Sequence, residues 1–429
     1  MQGIKKAVRT LVLIALAGVI AFTVYNLFFF KPKVVGLEQL EKLPKRKDIT
    51  LTVTPRNYVD LITVTAYQGP REVILFRGGL PERTNQITFR VEPKEIGLRD
   101  GPARIVVEVR RFYVLRESFE VQAIVDTEPP RVRIIYAPYV VRQGGSGAVR
   151  VKASEEVDLY VEVGEVRFRS YRVSEDNVHI AFFGVPPDTP VREVIKVVAV
   201  DRAGNRTVIP LGTGIRRNRF RRVTIDLTRR EKLIRTKIYS LLGGNLEEMD
   251  FVTAFRKVNE ELRRRDEERI REIGRRSKPE RLWKGSFIQM PGSKVLSYYG
   301  EKRTYIYKGK VVSRSRHLGY DLASVRNSRV PAANSGIVVF AGDLGIYGNT
   351  VIIDHGFGVM SLYAHLADFK VREGERVKKG QIIGITDMTG LAFGDHLHFS
   401  ILIDGYEVTP LEWWDPKWVR MRIEPVFSD

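Results

Sequence analysis

The chain opens on an unbroken apolar run and then settles into alternation. Leu11 to Phe30 carries no charged residue over 20 positions, and at about 1.5 Å rise per residue a helix of that length reaches roughly 30 Å, the thickness of a bilayer core. The pattern predicts one membrane-spanning helix. Lys5, Lys6 and Arg9 precede it as a cytoplasmic flank would, although Lys31 and Lys33 follow. Ala15-Leu16-Ala17 also fits a cleavage triplet, so an export signal competes with a retained anchor. The apolar run continuing through Phe28, Phe29 and Phe30 favours the anchor. No second run of comparable length occurs, which puts about 400 residues on one side of the membrane.

Beyond the anchor, Ile49 to Thr54, Gln86 to Val91, Arg104 to Val109 and Phe119 to Val125 are short segments rich in Val, Ile and Thr, set between Gly, Pro and charged turns. They predict antiparallel sandwiches. Asp126-Thr127-Glu128-Pro129-Pro130 breaks the pattern, since two prolines cannot sit inside a sheet, and Val132, Ile134 and Ile135 open a new strand. Val197 to Asp201, a turn through Gly204-Asn205 and a following strand resemble the last hairpin of bacterial immunoglobulin-like modules. The resemblance covers about 90 residues and implies a spacer or wall-facing role. His179 stands alone among these strands, where a histidine is ordinarily structural or solvated.

The period changes to helical between 214 and 280. Thr228 followed by Glu231 predicts a capping box, and Leu233, Ile234, Ile238, Leu241 and Leu242 recur at helical spacing until Gly243-Gly244. A second helix is expected on Phe251, Phe255, Val258 and Leu262, with a charged tail from Arg263 to Glu268 facing water and an end near Gly274. From Arg216 to Lys278 there are 20 Lys or Arg against 11 Asp or Glu, a net +9. This connector reads either as a surface or lid that meets an anionic partner or as a solvated pair of helices.

Composition narrows the chemistry. The 429 residues exceed what one core serves, and 43% hydrophobic content supports several. Without cysteine there is no disulfide, zinc finger or thiol nucleophile, so any metal falls to His, Asp or Glu, and only six histidines exist. A net charge of +20 suits nucleic acid, phospholipid headgroups or a carboxylate-bearing wall polymer. Export weakens the nucleic-acid option, and none is expected as a partner.

Five of the six histidines fall within 82 residues, and four of them draw attention together with one aspartate: His317, Asp321, His365, His396 and His398. In His396 to Ile403, alternation sets Leu397, Phe399, Ile401 and Ile403 on one face and both histidines on the other. One imidazole can then bind a metal while the other reaches a group bound to it. In Met360 to Leu366 the same alternation groups Ser361, Tyr363 and His365 opposite Met360, Leu362 and Leu366. His317 and Asp321 stand four residues apart, with Gly319 expected to let the chain turn tightly enough for both to meet one ion. His355, in Asp354-His355-Gly356, is expected to begin a turn and takes no role. No His-Glu-x-x-His helix occurs, so the site must be built on strands and loops.

From about Ser286 to Trp414 the sequence resembles the catalytic domain of LytM and lysostaphin-type zinc endopeptidases, which cut the peptide part of peptidoglycan. The motifs that carry it are His317-Leu318-Gly319-Tyr320-Asp321, Tyr347-Gly348-Asn349, Leu362-Tyr363-Ala364-His365-Leu366 and Gly394-Asp395-His396-Leu397-His398-Phe399. The resemblance implies His317, Asp321 and His398 as ligands of one zinc ion (Zn2+) per catalytic domain. It implies His365 and His396 as the catalytic pair beside the water. Three protein ligands leave zinc a fourth position for water, whose pKa falls toward about 7, and a neighbouring imidazole suits proton transfer to a leaving amine. Short strand repeats around Pro331-Ala332-Ala333 and Ile382 to Ile385 also resemble hybrid-barrel carrier domains, but Lys378 and Lys379 lack the carrier motif.

The expected fold is mainly β and multidomain. It comprises a cytoplasmic flank and transmembrane helix (1–33), two immunoglobulin-like β-sandwiches (34–126 and 127–213), a basic helical connector (214–280) and an antiparallel-β, hybrid-motif metallopeptidase domain (281–429). The expected function is a cell-wall hydrolase anchored in the inner membrane by the N-terminal helix, with its C-terminal domains in the periplasm or cell-wall space. Its partners are peptidoglycan peptides; the sequence identifies no regulatory protein. The alternatives are a non-hydrolytic LytM-like wall-binding protein or amidase activator, and a peptidase acting on protein.

Overall fold

The computed structural model describes residues 2–29, 31–54, 59–81, 83–243 and 249–428. Phe30 and Gly244, named above at the ends of the apolar run and the first connector helix, lie outside them. A helix spans Gln2–Phe29, and its stretch Lys6–Tyr25 is long and apolar enough to cross a membrane. The remainder is mainly β. It divides into two compact units, Met1–Pro130 with Val200–Arg206, and Arg131–Ala199 with Thr207–Asp429.

In the first unit a three-stranded sheet (Lys33–Val35, Lys47–Thr54, Gln86–Val91) and a five-stranded sheet (Lys42–Leu43, Leu115–Val125, Gly101–Arg111, Val59–Gln68, Arg71–Gly78) share one core. Period two explains it: Ile49, Leu51 and Val53 are fully buried, while Asp48 and Thr54 on the same strand are exposed.

The second unit holds a seven-stranded sheet built around Val157–Val163, Val166–Ser174 and Val178–Gly184, and an eight-stranded sheet. The latter runs in the order Lys294–Ser297, Tyr320–Ala323, Leu397–Ile403, Val359–Ala364, Asn349–Gly356, Gly336–Asp343, Arg376–Val377, with Tyr406–Val408 paired to Leu397–Ile403. One apolar core joins the two sheets. Phe182 of the first meets Trp283 and Trp413 at ring-centroid distances of 5.7 and 6.2 Å. Trp413 is fully buried and donates its indole N–H to Ser146 Oγ at 3.0 Å. His179 is buried in Val178–Gly184 beside Ser170 Oγ at 3.0 Å.

The connector packs onto the opposite face of the eight-stranded sheet. Arg222–Asp226 pairs in parallel with Lys302–Tyr307, which pairs in turn with Lys310–Arg316. The expected capping box does not form. Thr228 opens a short 3-10 turn, its Oγ1 accepts from Lys308 N at 2.8 Å, and the helix Glu231–Leu242 begins without a side-chain cap. Gly243 ends that helix in the left-handed conformation, φ +79°. The next helical run, Phe251–Gly274, is capped by Asp250, whose side chain accepts from Val252 N and Thr253 N, and contains a π-helical stretch, Lys257–Leu262. Its tail is less solvated than its charge suggests. Ile270 and Ile273 enter a core with Ile346 and Leu362, and buried Asp266 accepts from Ile346 N at 2.8 Å.

His355 corrects the turn expected at that position. It lies within the strand Asn349–Gly356, fully buried, with Nδ1 2.7 Å from Ser335 O and Nε2 2.7 Å from Ser361 Oγ. The strand extends past the Asp-His-Gly signal, and both ring nitrogens find partners, one in the bend before Gly336–Asp343 and one on the strand Val359–Ala364.

Two outcomes follow for stability. Trp413→Ala is expected to destabilise the second unit by about 3–5 kcal/mol, read from denaturant unfolding, because the indole fills the core between its two large sheets. Burial pushes the His355 pKa down to about 4. Because the unfolded imidazole binds a proton near 6.5 and the folded one does not, this group's stabilisation is present above about pH 6.5 and disappears as pH falls toward about 4. The difference between the melting-temperature profiles of wild type and His355→Asn isolates that contribution. A difference independent of pH across this window would refute it.

Candidate metal centre

The strand pairing builds the site. Asp321 on Tyr320–Ala323 is the direct antiparallel partner of His398 on Leu397–Ile403, so the two side chains stand side by side on one face. His317 follows Lys310–Arg316 and completes the group. Its Nε2 lies 2.9 Å from Asp321 Oδ1 and 3.0 Å from His398 Nδ1, and His398 Nδ1 lies 3.1 Å from Asp321 Oδ1. All three residues are buried.

The hydrogen bonds behind the rings assign the tautomers. His317 Nδ1 faces Tyr298 O at 3.1 Å, so Nδ1 carries the proton and Nε2 is bare. Ser400 Oγ donates to Leu318 O at 2.8 Å, so it accepts from His398 Nε2 at 3.3 Å, and His398 Nδ1 is bare. Two lone pairs and a carboxylate oxygen therefore converge with no proton between them.

Gly319 lies at a bend between His317 and Asp321, and it serves also by lacking a side chain. A Cβ there would lie 2.5 Å from His398 Cε1 and 2.6 Å from Ser400 Oγ. The ring of His398 rests against the Gly319 backbone, and alanine would displace it.

His365 reaches the same groove by a route the alternation misses. Met360 and Leu362 face one core, while Tyr363 and Leu366 face the other, so the face changes at the residue between. His365 has φ +62°, in the left-handed region, and this turns its ring away from Tyr363 toward the histidines. Its ring centroid lies 4.9 Å from that of His396 and 5.9 Å from that of His398. His365 N donates to Tyr347 O at 2.9 Å, and its Nδ1 donates to Thr389 O at 2.8 Å, leaving Nε2 bare.

His396 precedes its strand and is held by a bridge to Asp387. Its Nδ1 donates to Gly394 O at 2.8 Å, and its Nε2 lies 3.5 Å from Asp321 Oδ1. All five residues singled out in the sequence thus line one groove of about 390 Å³. Burial pushes the His365 pKa well down, with His396 and His398 adding to it. For His396 burial is outweighed by Asp321, and its pKa is raised.

Sequence reasoning missed Arg303. Its Nη2 lies 3.2 Å from Asp321 Oδ2, the oxygen turned away from the imidazoles. No motif distinguishes it among 71 Lys and Arg; only the register of Lys302–Tyr307 brings it there. The connector also contributes to the wall through Val223, Arg230, Phe255 and Arg263.

Residues 315–410 match the model of Peptidase family M23. The chain is similar to the DD-carboxypeptidase/endopeptidase Mpg of Neisseria meningitidis serogroup B, at 42% identity over 95 residues, which are 22% of each chain. It is also similar to the Murein hydrolase activator NlpD of Escherichia coli (strain K12), at 38% identity over 112 residues, 25% of this chain and 29% of that protein. Among solved structures, the catalytic domain of lysostaphin from Staphylococcus simulans is 28% identical and covers 30% of this chain and 96% of its own, with a TM-score of 0.26. The chain spans about a fifth of the length of the Neisseria relative. The motif order, the segment matched and the relatives agree: the C-terminal part of this chain is a peptidase family M23 domain.

Proposed function

We propose that residues 281–429 act as a zinc-dependent endopeptidase that hydrolyses amide bonds in the stem or cross-link peptides of peptidoglycan. His317, Asp321 and His398 are its metal ligands, and His365 and His396 its catalytic pair. The reading rests on one observation: three unprotonated donors meet at separations of 2.9, 3.0 and 3.1 Å. Zinc takes nitrogen and oxygen at about 2.0–2.2 Å, so tetrahedral donors lie roughly 3.3 Å apart, and the donor set fits. Bound there, zinc supplies a Lewis acid for activating water and polarising a scissile carbonyl.

The chain's own groups handle the protons. His365, fixed by Thr389 O with its Nε2 bare, is the acceptor. His396, whose protonated form Asp321 favours, stabilises the developing oxyanion and gives its own proton to the leaving amine, the proton on His365 restoring the pair through solvent. Arg303 is a positioning residue: by holding Asp321 Oδ2 it aims Oδ1 at the imidazoles.

The apolar helix Gln2–Phe29 supports membrane attachment, with residues 34–126 and 127–213 as immunoglobulin-like spacers and the peptidase in the periplasm or cell-wall space. A second reading, activation of another wall hydrolase, is favoured by the similarity to the activator from Escherichia coli.

Incubating purified peptidoglycan with the protein is expected to release peptide fragments identifiable by mass. A chelator abolishes release, and His396→Ala slows it by about 10²–10⁴-fold. Identical fragments from wild type and His396→Ala would refute the catalytic assignment; wall binding without any release would favour the activator. Arg303→Leu is expected to weaken zinc affinity by about 10–100-fold in competition with a chromophoric chelator, with Arg303→Lys recovering part of it. Unchanged affinity in Arg303→Leu would remove its positioning role.

A further inference from the structure

A second cleft, of about 490 Å³, opens on the other side of the same sheet edge. The edge strand Lys294–Ser297 separates the two hollows: Ser297 lines the histidine groove, whereas Tyr298 lines this cleft, and Asp321 and Tyr320 divide in the same way. Its walls come from two sources. Val140–Arg142 pairs with Gly214–Arg216 and Ser146 opens the strand Ser146–Ala153 of the seven-stranded sheet, while Leu411, Glu412 and Trp418 belong to the C-terminal segment.

The cleft is strongly basic. Arg142, Arg216, Arg219, Arg221 and Arg422 line it, against the carboxylates of Glu412 and Asp415. Both acids are already engaged by backbone amides. Glu412 Oε2 accepts from Ser146 N at 2.9 Å, and Asp415 Oδ1 accepts from Lys417 N at 2.8 Å. Arg221 approaches Glu301 at 3.8 Å and lies over the Tyr298 ring. Arg142, Arg216 and Arg219 are exposed; among the described residues neither they nor Arg422 form an ion pair within 4 Å, and Arg142 and Arg422 act on Glu412 only at longer range. Between the cations lies apolar surface: Leu411 is 57% and Tyr298 39% exposed, and Phe220 and Trp418 are half-buried.

Exposed guanidinium groups interleaved with ring faces match a ligand that presents carboxylates along a partly apolar backbone. We infer that this cleft is a second binding site, distinct from the histidine groove, for a carboxylate-bearing sugar-peptide segment of the wall polymer. It retains the polymer while a neighbouring peptide enters the groove around the sheet edge. The inference rests on the wall-substrate reading for the nature of the occupant, but not on hydrolysis.

The test separates holding from cutting. Full chain carrying His396→Ala is sedimented with purified, insoluble peptidoglycan, native or with its carboxyl groups amidated. Binding to native polymer is expected to be at least about tenfold tighter than to amidated polymer, and charge reversal in Arg142→Glu/Arg219→Glu is expected to remove that difference. Amidation keeps the protein unaltered, so misfolding of the variant cannot imitate the result. In the wild-type background, Arg142→Glu/Arg219→Glu should raise KM on the polymer and leave cleavage of short soluble peptides unchanged. Equal binding of native and amidated polymer, or full carboxylate-dependent binding by the double variant, overturns the inference. Carboxylate-dependent binding by a wild-type protein that never cleaves would sustain the cleft while ending the hydrolase reading.

Discussion

Three acceptors pressed together with no proton among them is the constraint around which the rest of the domain is arranged. Two imidazole lone pairs and a carboxylate oxygen repel one another at about 3 Å unless a cation lies between them. The fold must therefore hold each from behind. It does so with Tyr298 O on His317, Ser400 on His398, and Arg303 on Asp321. The direct pairing of Asp321 with His398 across two buried strands makes this possible, since neither side chain can withdraw without breaking the ladder.

How much of this the sequence revealed follows from which interactions are local. The strand Leu397–Ile403 was legible because alternation alone dictates its faces, and so was the clustering of the five residues. His365 was not legible in orientation: its positive φ is imposed by Tyr347 O, Thr389 O and Asp387 N, all distant in the chain. Reading period two through it reaches the right groove for the wrong reason. Gly319 carries the same lesson. Its identity answers to a histidine 79 positions on as well as to its own bend.

The misread capping box has a similar origin. Thr228 and Glu231 have the right spacing, but Lys308 N claims Thr228 Oγ1, and Arg235 and Tyr307 claim the Glu231 carboxylate at 2.7 Å each. Lys308 and Tyr307, distant in the chain, and Arg235, one helical turn on, take the groups that the local motif needs. Packing of the connector on the eight-stranded sheet explains why Asp266, inside a run of charges, is buried: it satisfies the amide of Ile346 beside the groove.

A line of alternating charge ties the site to its surroundings. Asp321 contacts Arg303 at 3.2 Å, Arg303 approaches Glu301 at 3.8 Å, and Glu301, only 3% exposed, approaches Arg221 at 3.8 Å. Arg303 is flanked by opposite charge on both sides, so deleting it leaves the buried Asp321 carboxylate without its cation, which costs more than the pair contributes. Glu301 lies between two arginines while accepting from Tyr298 N at 3.2 Å, and Tyr298 is the residue whose carbonyl fixes His317. The orientation of one imidazole thus depends on a carboxylate it never touches, and the depth of the site is set by this chain of neighbours rather than by the three converging donors alone.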